Sequence, residues 1–204
     1  MANIARAAAL LHSKASHDVL PVHDLNLPRG AITEIVGSRS SGRAALTHAI
    51  LAASISMGET CAIIDAADSF DPTPAAANGV LLDRIFWVRC RGRADHAIKA
   101  ADWILHAGGF GVAVLDLCEI APEVLRRIPL SSWYHYRNAI ENTRTVFVVV
   151  ADLHVTGSCA ARNFSTDRAR TIWSSSLLEG LEMTLVSRKP AAVKPARYEA
   201  RLVG

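Results

Sequence analysis

Five short apolar runs recur along the chain, at 31–36 (AITEIV), 60–66 (TCAIIDA), 84–90 (RIFWVRC), 110–116 (FGVAVLD) and 144–152 (RTVFVVVAD). Most of their positions are apolar, with no regular alternation, so a strand built from such a run is covered on both faces. Between them lie stretches with helical spacing. In 43–57 Leu46, Ile50, Leu51 and Ile55 share one face and Gly58 stops the helix. A short helix ends at Gly79, and 95–109 places Ile98, Ala101, Ile104 and Leu105 inward. A further helix over 131–143 has a Ser at its start. Helices that return the chain between buried strands imply an α/β fold, with a mostly parallel central sheet flanked by helices.

The two ends differ from this middle. Residues 1–15 favour an amphipathic helix, and 16–30, with Pro21, Pro28 and Gly30, read as a loop. The tail segments EMTLVSR and RYEARLVG alternate at period two around KPAAVKPA. They predict a C-terminal antiparallel hairpin at the edge of the sheet. The expected division is an N-terminal helix and linker over 1–26 and one core domain over 27–204, a length that buries a sizeable core.

Composition excludes some classes. Hydrophobic residues make up 50% and charged residues 20%, which is not a disordered chain. No run approaches the roughly 18 apolar residues of a membrane span, so a cytoplasmic protein without a membrane partner is expected. The cysteines, Cys61, Cys90, Cys118 and Cys159, show no C-x-x-C spacing and fit a reducing compartment. His12, His17 and His23 lack a ligand pattern, and DAADSFDP (65–72) lacks EF-hand spacing, so no metal is expected. Trp87 and Trp103 fall on elements read as core. The net charge of +3 permits contact with nucleic acid without arguing for it.

The chemistry gathers after the first strand, in Gly37-Ser38-Arg39-Ser40-Ser41-Gly42 followed by Arg43 and Ala44. The spacing Gly37-x-x-x-x-Gly42 is that of a phosphate-binding loop, in which successive backbone N–H groups and the start of the next helix cradle an anion. A working loop continues with Lys and then Ser or Thr; here Arg43 and Ala44 follow. Ligands of an open parallel sheet bind beyond the carboxyl ends of its strands, where Asp65 and Asp116 fall. Asp116 stands where an aspartate assisting a phosphate-bound magnesium belongs. Asp65 is better read as the end of a strand that caps its loop, a reading also open for Asp116.

Four segments in order resemble the RecA recombinase family over 27–152. They are LPRGAITEIVGSRSSGRAAL, AIIDAADSFDP, NGVLLDRIFWVRC and AIKAADWILHAGGFGVAVLD. More closely, GAITEIVG and the run from RIFWVRC to LDL resemble the ImuA-type branch, degenerate RecA-like accessory proteins of bacterial damage-induced mutagenesis. The resemblance implies a RecA-like P-loop core. Implied partners are an ImuB-like polymerase homologue and an error-prone replicative-type polymerase, with RecA and single-stranded DNA as further candidates. It also implies that Ala67 replaces the glutamate that activates the attacking water, and that Ala151 and Asp152 stand where recombinases carry a nucleotide-sensing Gln. The nucleotide site Gly37–Ala44 with Asp65 and Asp116 is therefore expected to be degenerate, with no catalytic residue and weak ATP binding at most. The second DNA-binding loop of the family corresponds to 153–170, where Arg162, Arg168 and Arg170 are candidates for phosphate contact. Three functions follow: a non-catalytic adaptor in the DNA damage response and translesion synthesis, an ATP-dependent repair protein with residual nucleotide binding, and a remote SulA-type cell-division inhibitor.

Overall fold

A computed structural model describes the backbone of residues 18–174, 177–189 and 196–201, and the side chains of 18–167 and 184–188. The helix expected over 1–15, with His12 and His17, lies outside the described residues.

The strands are β1 (Val19–Val22), β2 (Leu25–Pro28), β3 (Ala31–Gly37), β4 (Cys61–Asp65), β5 (Ile85–Arg89), β6 (Val112–Asp116), β7 (Val146–Ala151), β8 (Arg162–Ser174), β9 (Leu177–Lys189) and β10 (Ala196–Arg201). The helices are α1 (Arg43–Ser56), α2 (Pro72–Ala77), α3 (Ala94–Ala107), α4 (Pro122–Leu125) and α5 (Leu130–Ile140). Eight strands form one sheet in the order β10-β9-β8-β3-β7-β6-β4-β5. From β8 to β5 all neighbours are parallel. β9 runs antiparallel to both β8 and β10, which makes the expected edge hairpin.

The period of two within each strand divides the core. Ile35, Ile63, Val114 and Val148 face α1, packed with its Leu46, Ile50 and Leu51. Ile32, Ile64, Leu115 and Val149 face α3 and α5, packed with Ala97, Ala101, Leu105, Trp133 and Tyr136. This two-sided burial is why the strands read as apolar runs.

Several expectations need correction. The segment 16–30 is not a loop throughout: β1 and β2 form a two-stranded antiparallel hairpin. Its turn passes through His23 at φ 50. Leu20, Val22, Leu25 and Leu27 alternate with polar positions and join the core on the α1 side. Pro21 and Pro28 sit within these strands, tolerated because a two-stranded ribbon leaves outer N–H positions unpaired. Trp103 is no core residue; it is 72% exposed on α3, while α3 buries the small Ala94, Ala97, Ala100 and Ala101 with Leu105. Ile98 and Ile104 are half-buried at the border. No serine side chain caps α5, which starts after Pro129.

Candidate functional site

β3 delivers Gly37 and α1 begins at Arg43, so the intervening turn sits at the carboxyl edge of the sheet. Gly42 takes φ 90 and Ser40 φ 60, the left-handed positions that let a short turn present its N–H groups inward. The Ser41 N–H donates to the Ser38 carbonyl at 3.2 Å. Ser41 Oγ lies 2.6 Å from Thr166 Oγ1 on β8, so the turn is anchored to the neighbouring strand. A Cβ at Gly37 would collide with both hydroxyls, which is why glycine stands there.

Arg43 occupies the position of the phosphate-binding lysine. It is 7% exposed, and its guanidinium folds back to donate to the Gly37 carbonyl and to Asp152 Oδ1. A second nitrogen approaches Glu119 Oε1 at 3.5 Å. Glu119 also receives Arg39 as a fork, at 2.9 and 2.8 Å. The Glu119 N–H in turn donates to Asp152 Oδ2 at 3.2 Å. Four charged side chains thus form a closed network across the turn. Burial pulls the Arg43 guanidinium down, but its bond to Asp152 and the surrounding acids outweigh that, so its affinity for the proton rises. Glu119 holds its place at φ 64, a conformation uncommon for a residue with a Cβ.

The two strand-end aspartates part company. Asp116 lines the same cavity as the turn. Burial pushes its carboxyl up, against the Cys118 N–H at 2.9 Å and Ser69 Oγ at 3.2 Å. Asp65 stands opposite it in register, wholly buried. It accepts from the Ser69 and Phe70 N–H groups and from Trp87 Nε1. Asp65 therefore ties down the loop after β4. Ala67 lies half-buried against the α3 core and offers no carboxylate.

The cavity measures about 700 Å³. Arg39, Ser40, Arg43, Asp116 and Glu119 are among its polar lining residues, and Ala44, Phe70 and Pro74 among its apolar ones, with His48 beside them. His48 is buried, and burial lowers its imidazole to about 4. Ala44 presents a methyl group where a hydroxyl would hold magnesium. Glu119 and Asp152 had no signature in the sequence as partners of Arg43, since they lie 76 and 109 positions away.

The candidate DNA arginines do not lie in a loop. Arg162 opens β8 beside Thr33, half-buried, and Arg170 pairs with Glu182 of β9 across the ladder. Arg168 belongs to the same strand at an irregularity between Asp167 and Arg170. The strand register replaces the mobile loop the sequence suggested.

The model of the RecA N-terminal domain matches residues 20–124, just over half of the chain. Protein RecA of Teredinibacter turnerae is 38% identical over 90 residues, which are 44% of this chain and 26% of that protein. Protein RecA of Rickettsia prowazekii is 36% identical over 90 residues, with the same coverage. Protein RecA of Chloroflexus aurantiacus is 28% identical over 143 residues, 63% of this chain and 40% of that protein. The chain thus spans between about a quarter and two fifths of the length of these relatives.

Proposed function

This chain belongs to the RecA N-terminal domain family, and from that premise we propose that it is a non-catalytic accessory protein of the DNA damage response. In this reading it serves mutagenic translesion synthesis. It docks an ImuB-like polymerase homologue and an error-prone replicative-type polymerase, with RecA or single-stranded DNA as further partners. The observation that carries the reading is the state of Arg43, held inside its own loop by the Gly37 carbonyl, Asp152 and Glu119.

A triphosphate entering this turn competes with two carboxylates for one guanidinium, and those carboxylates repel it. Arg43 is buried while Asp152 and Glu119 are partly exposed, so a phosphate that takes the guanidinium must first displace carboxylates already bonded to it. The planar guanidinium also does not reproduce the compact charge of an ammonium. Hydrolysis needs in addition a metal-bound phosphate and an oriented water. Ala44 and Ala67 supply neither, and loss of one electrostatic group alone costs about a hundredfold or more in rate. Scaffold without catalysis fits an adaptor. The test is phosphate release by the purified chain with and without single-stranded DNA. Background rates are expected; DNA-stimulated turnover abolished by Asp116→Ala would overturn the reading.

The cavity supports a second, narrower reading, in which nucleotide is bound without being hydrolysed. Phe70, His48 and Pro74 suit a purine face, and Arg39, Ser40 and Gly42 of the turn line the same cavity. Saturable quenching of a fluorescent ATP analogue, competed by ATP, would establish it.

A further inference from the structure

On the face of the sheet away from α1, three side chains from two helices converge. Asp102 and His106 stand one turn apart on α3, and His135 faces them from α5. His135 Nε2 lies 2.9 Å and His106 Nδ1 3.3 Å from the same oxygen, Asp102 Oδ1. The two imidazoles are 5.0 Å apart between centroids and tilted by 33°. One potential ligand atom from each residue lies within 4.8 Å of the others. Asp102 Oδ1 is itself shielded from solvent yet accepts no hydrogen bond. The close nitrogens therefore flank that oxygen without directing an N–H at it. His106 Nδ1 also lies 2.8 Å from the Asp102 backbone carbonyl, a bond that a cation at this nitrogen replaces.

We propose that Asp102, His106 and His135 bind one borderline first-row divalent cation of the zinc type, clamping α3 to α5. Two imidazoles with one carboxylate form a nitrogen-rich set. It suits zinc and its neighbours and not magnesium or calcium, which take oxygen ligands. Ligands about 2.0–2.2 Å from a tetrahedral zinc lie about 3.4 Å from one another, so the observed 2.9 and 3.3 Å need only small side-chain adjustments. Solvent fills the remaining coordination position. The helices are already in register for this: the neighbour of His135, Tyr136, is buried and donates its hydroxyl to the Ile98 carbonyl of α3 at 2.7 Å. Trp133, wholly buried one turn earlier, seats the same helix edge-on against Tyr136. The cation thus joins a preformed frame, and little is left to order on binding. A simple surface ion pair between protonated histidines and Asp102 is the competing account of the same distances.

Untagged protein stripped with a chelator is titrated with Zn²⁺ by calorimetry and with Co²⁺ by visible absorption. One saturable equivalent is expected, with the intense d–d bands of tetrahedral Co²⁺. His135→Ala and His106→Ala should each weaken it by about tenfold or more, since loss of even an outer-shell partner costs that much. His96→Ala, on the same helix outside the cluster, should leave it unchanged. His106 and His135 are half or more exposed, so these variants keep the fold, which circular dichroism verifies. Absence of saturable binding, or less than a tenfold loss in His135→Ala, would overturn the site and leave the ion pair.

Discussion

His48 shows how one side chain carries information about pH. It is 6% exposed, meets Phe70 edge-on at 6.0 Å, and has Nδ1 3.5 Å from Asn78 Nδ2. Burial lowers its imidazole from 6.5 to about 4, with Asp71 opposing only in part. Above pH 6.5 neither the folded nor the unfolded chain holds the proton, and the full stability is present. Between 6.5 and about 4 the unfolded chain takes up a proton that the folded chain refuses, so stability is lost as the pH is lowered through this window. The loss attributable to this residue reaches up to about 3 kcal/mol. Denaturant midpoints across that window should fall less steeply in His48→Gln than in the parent; equal slopes would remove His48 as their source. At Gly37 the constraint is steric. Gly37→Ala drives a methyl group into Ser41 Oγ and Thr166 Oγ1, and overpacking of this sort costs about 1–3 kcal/mol. Thermal unfolding should register a lower Tm for Gly37→Ala, whereas Gly92→Ala meets no neighbouring atom and should lose only what its φ of 79 demands.

At the scale of elements, the β1–β2 hairpin belongs to the core that carries the Gly37–Gly42 turn. Leu20 and Leu27 are fully buried and lie opposite each other in the ladder. Their cluster includes Leu46 and Ile50 of α1. Leu20→Ala should therefore cost about 2–5 kcal/mol, read from urea unfolding, where a mere linker would lose nothing measurable. The second element is β8. Arg162, Arg168 and Arg170 lie on one extended strand, Arg162 where it pairs with β3 and Arg170 where it pairs with β9, so any phosphate they bind meets a strand and not a loop. Replacing all three by Ala should weaken single-stranded DNA binding. It should also flatten the dependence of log K on log salt by about 0.7 for each phosphate no longer neutralised. An unchanged slope would assign them to the strand's own ladder and its Glu182 neighbour.

For the whole molecule, the proposed function predicts that restoring the turn alone does not produce catalysis. Arg43→Lys combined with Ala44→Thr restores the loop's cation and hydroxyl, yet Glu119 and Asp152 still compete for the ammonium and Ala67 still provides no base. Phosphate release should stay at background in this double variant. Turnover within tenfold of a working member of the family would show that the network is not what silences the site.

How much of this was legible in the sequence follows from the range of each signal. Apolar runs, helix faces and the Gly37-x-x-x-x-Gly42 spacing are local, set by side-chain period and backbone sterics within a few residues. They sufficed for the parallel sheet, for α1 and the turn, for the edge hairpin and for the place of Asp116 beside the cavity at the turn. Some local readings still failed, among them Trp103, whose place on an amphipathic helix does not by itself say which face is buried. β1 and β2 alternate over only four residues each, and the prolines there masked them. β8 is polar and charged at many positions because it borders the antiparallel wing, so it resembled a loop. The tertiary structure alone decided three pairings. Arg43 found Asp152 across 109 positions, Ser41 found Thr166 across 125, and His135 came to Asp102 and His106 from another helix. Strand order, not spacing, sets which carboxyl ends meet, and the energy of a charge depends on whichever partner the fold places beside it. The sequence by itself thus determined that a phosphate-type turn would form at a sheet edge. Only the folded chain determined that the cation of this turn would be held by carboxylates of its own.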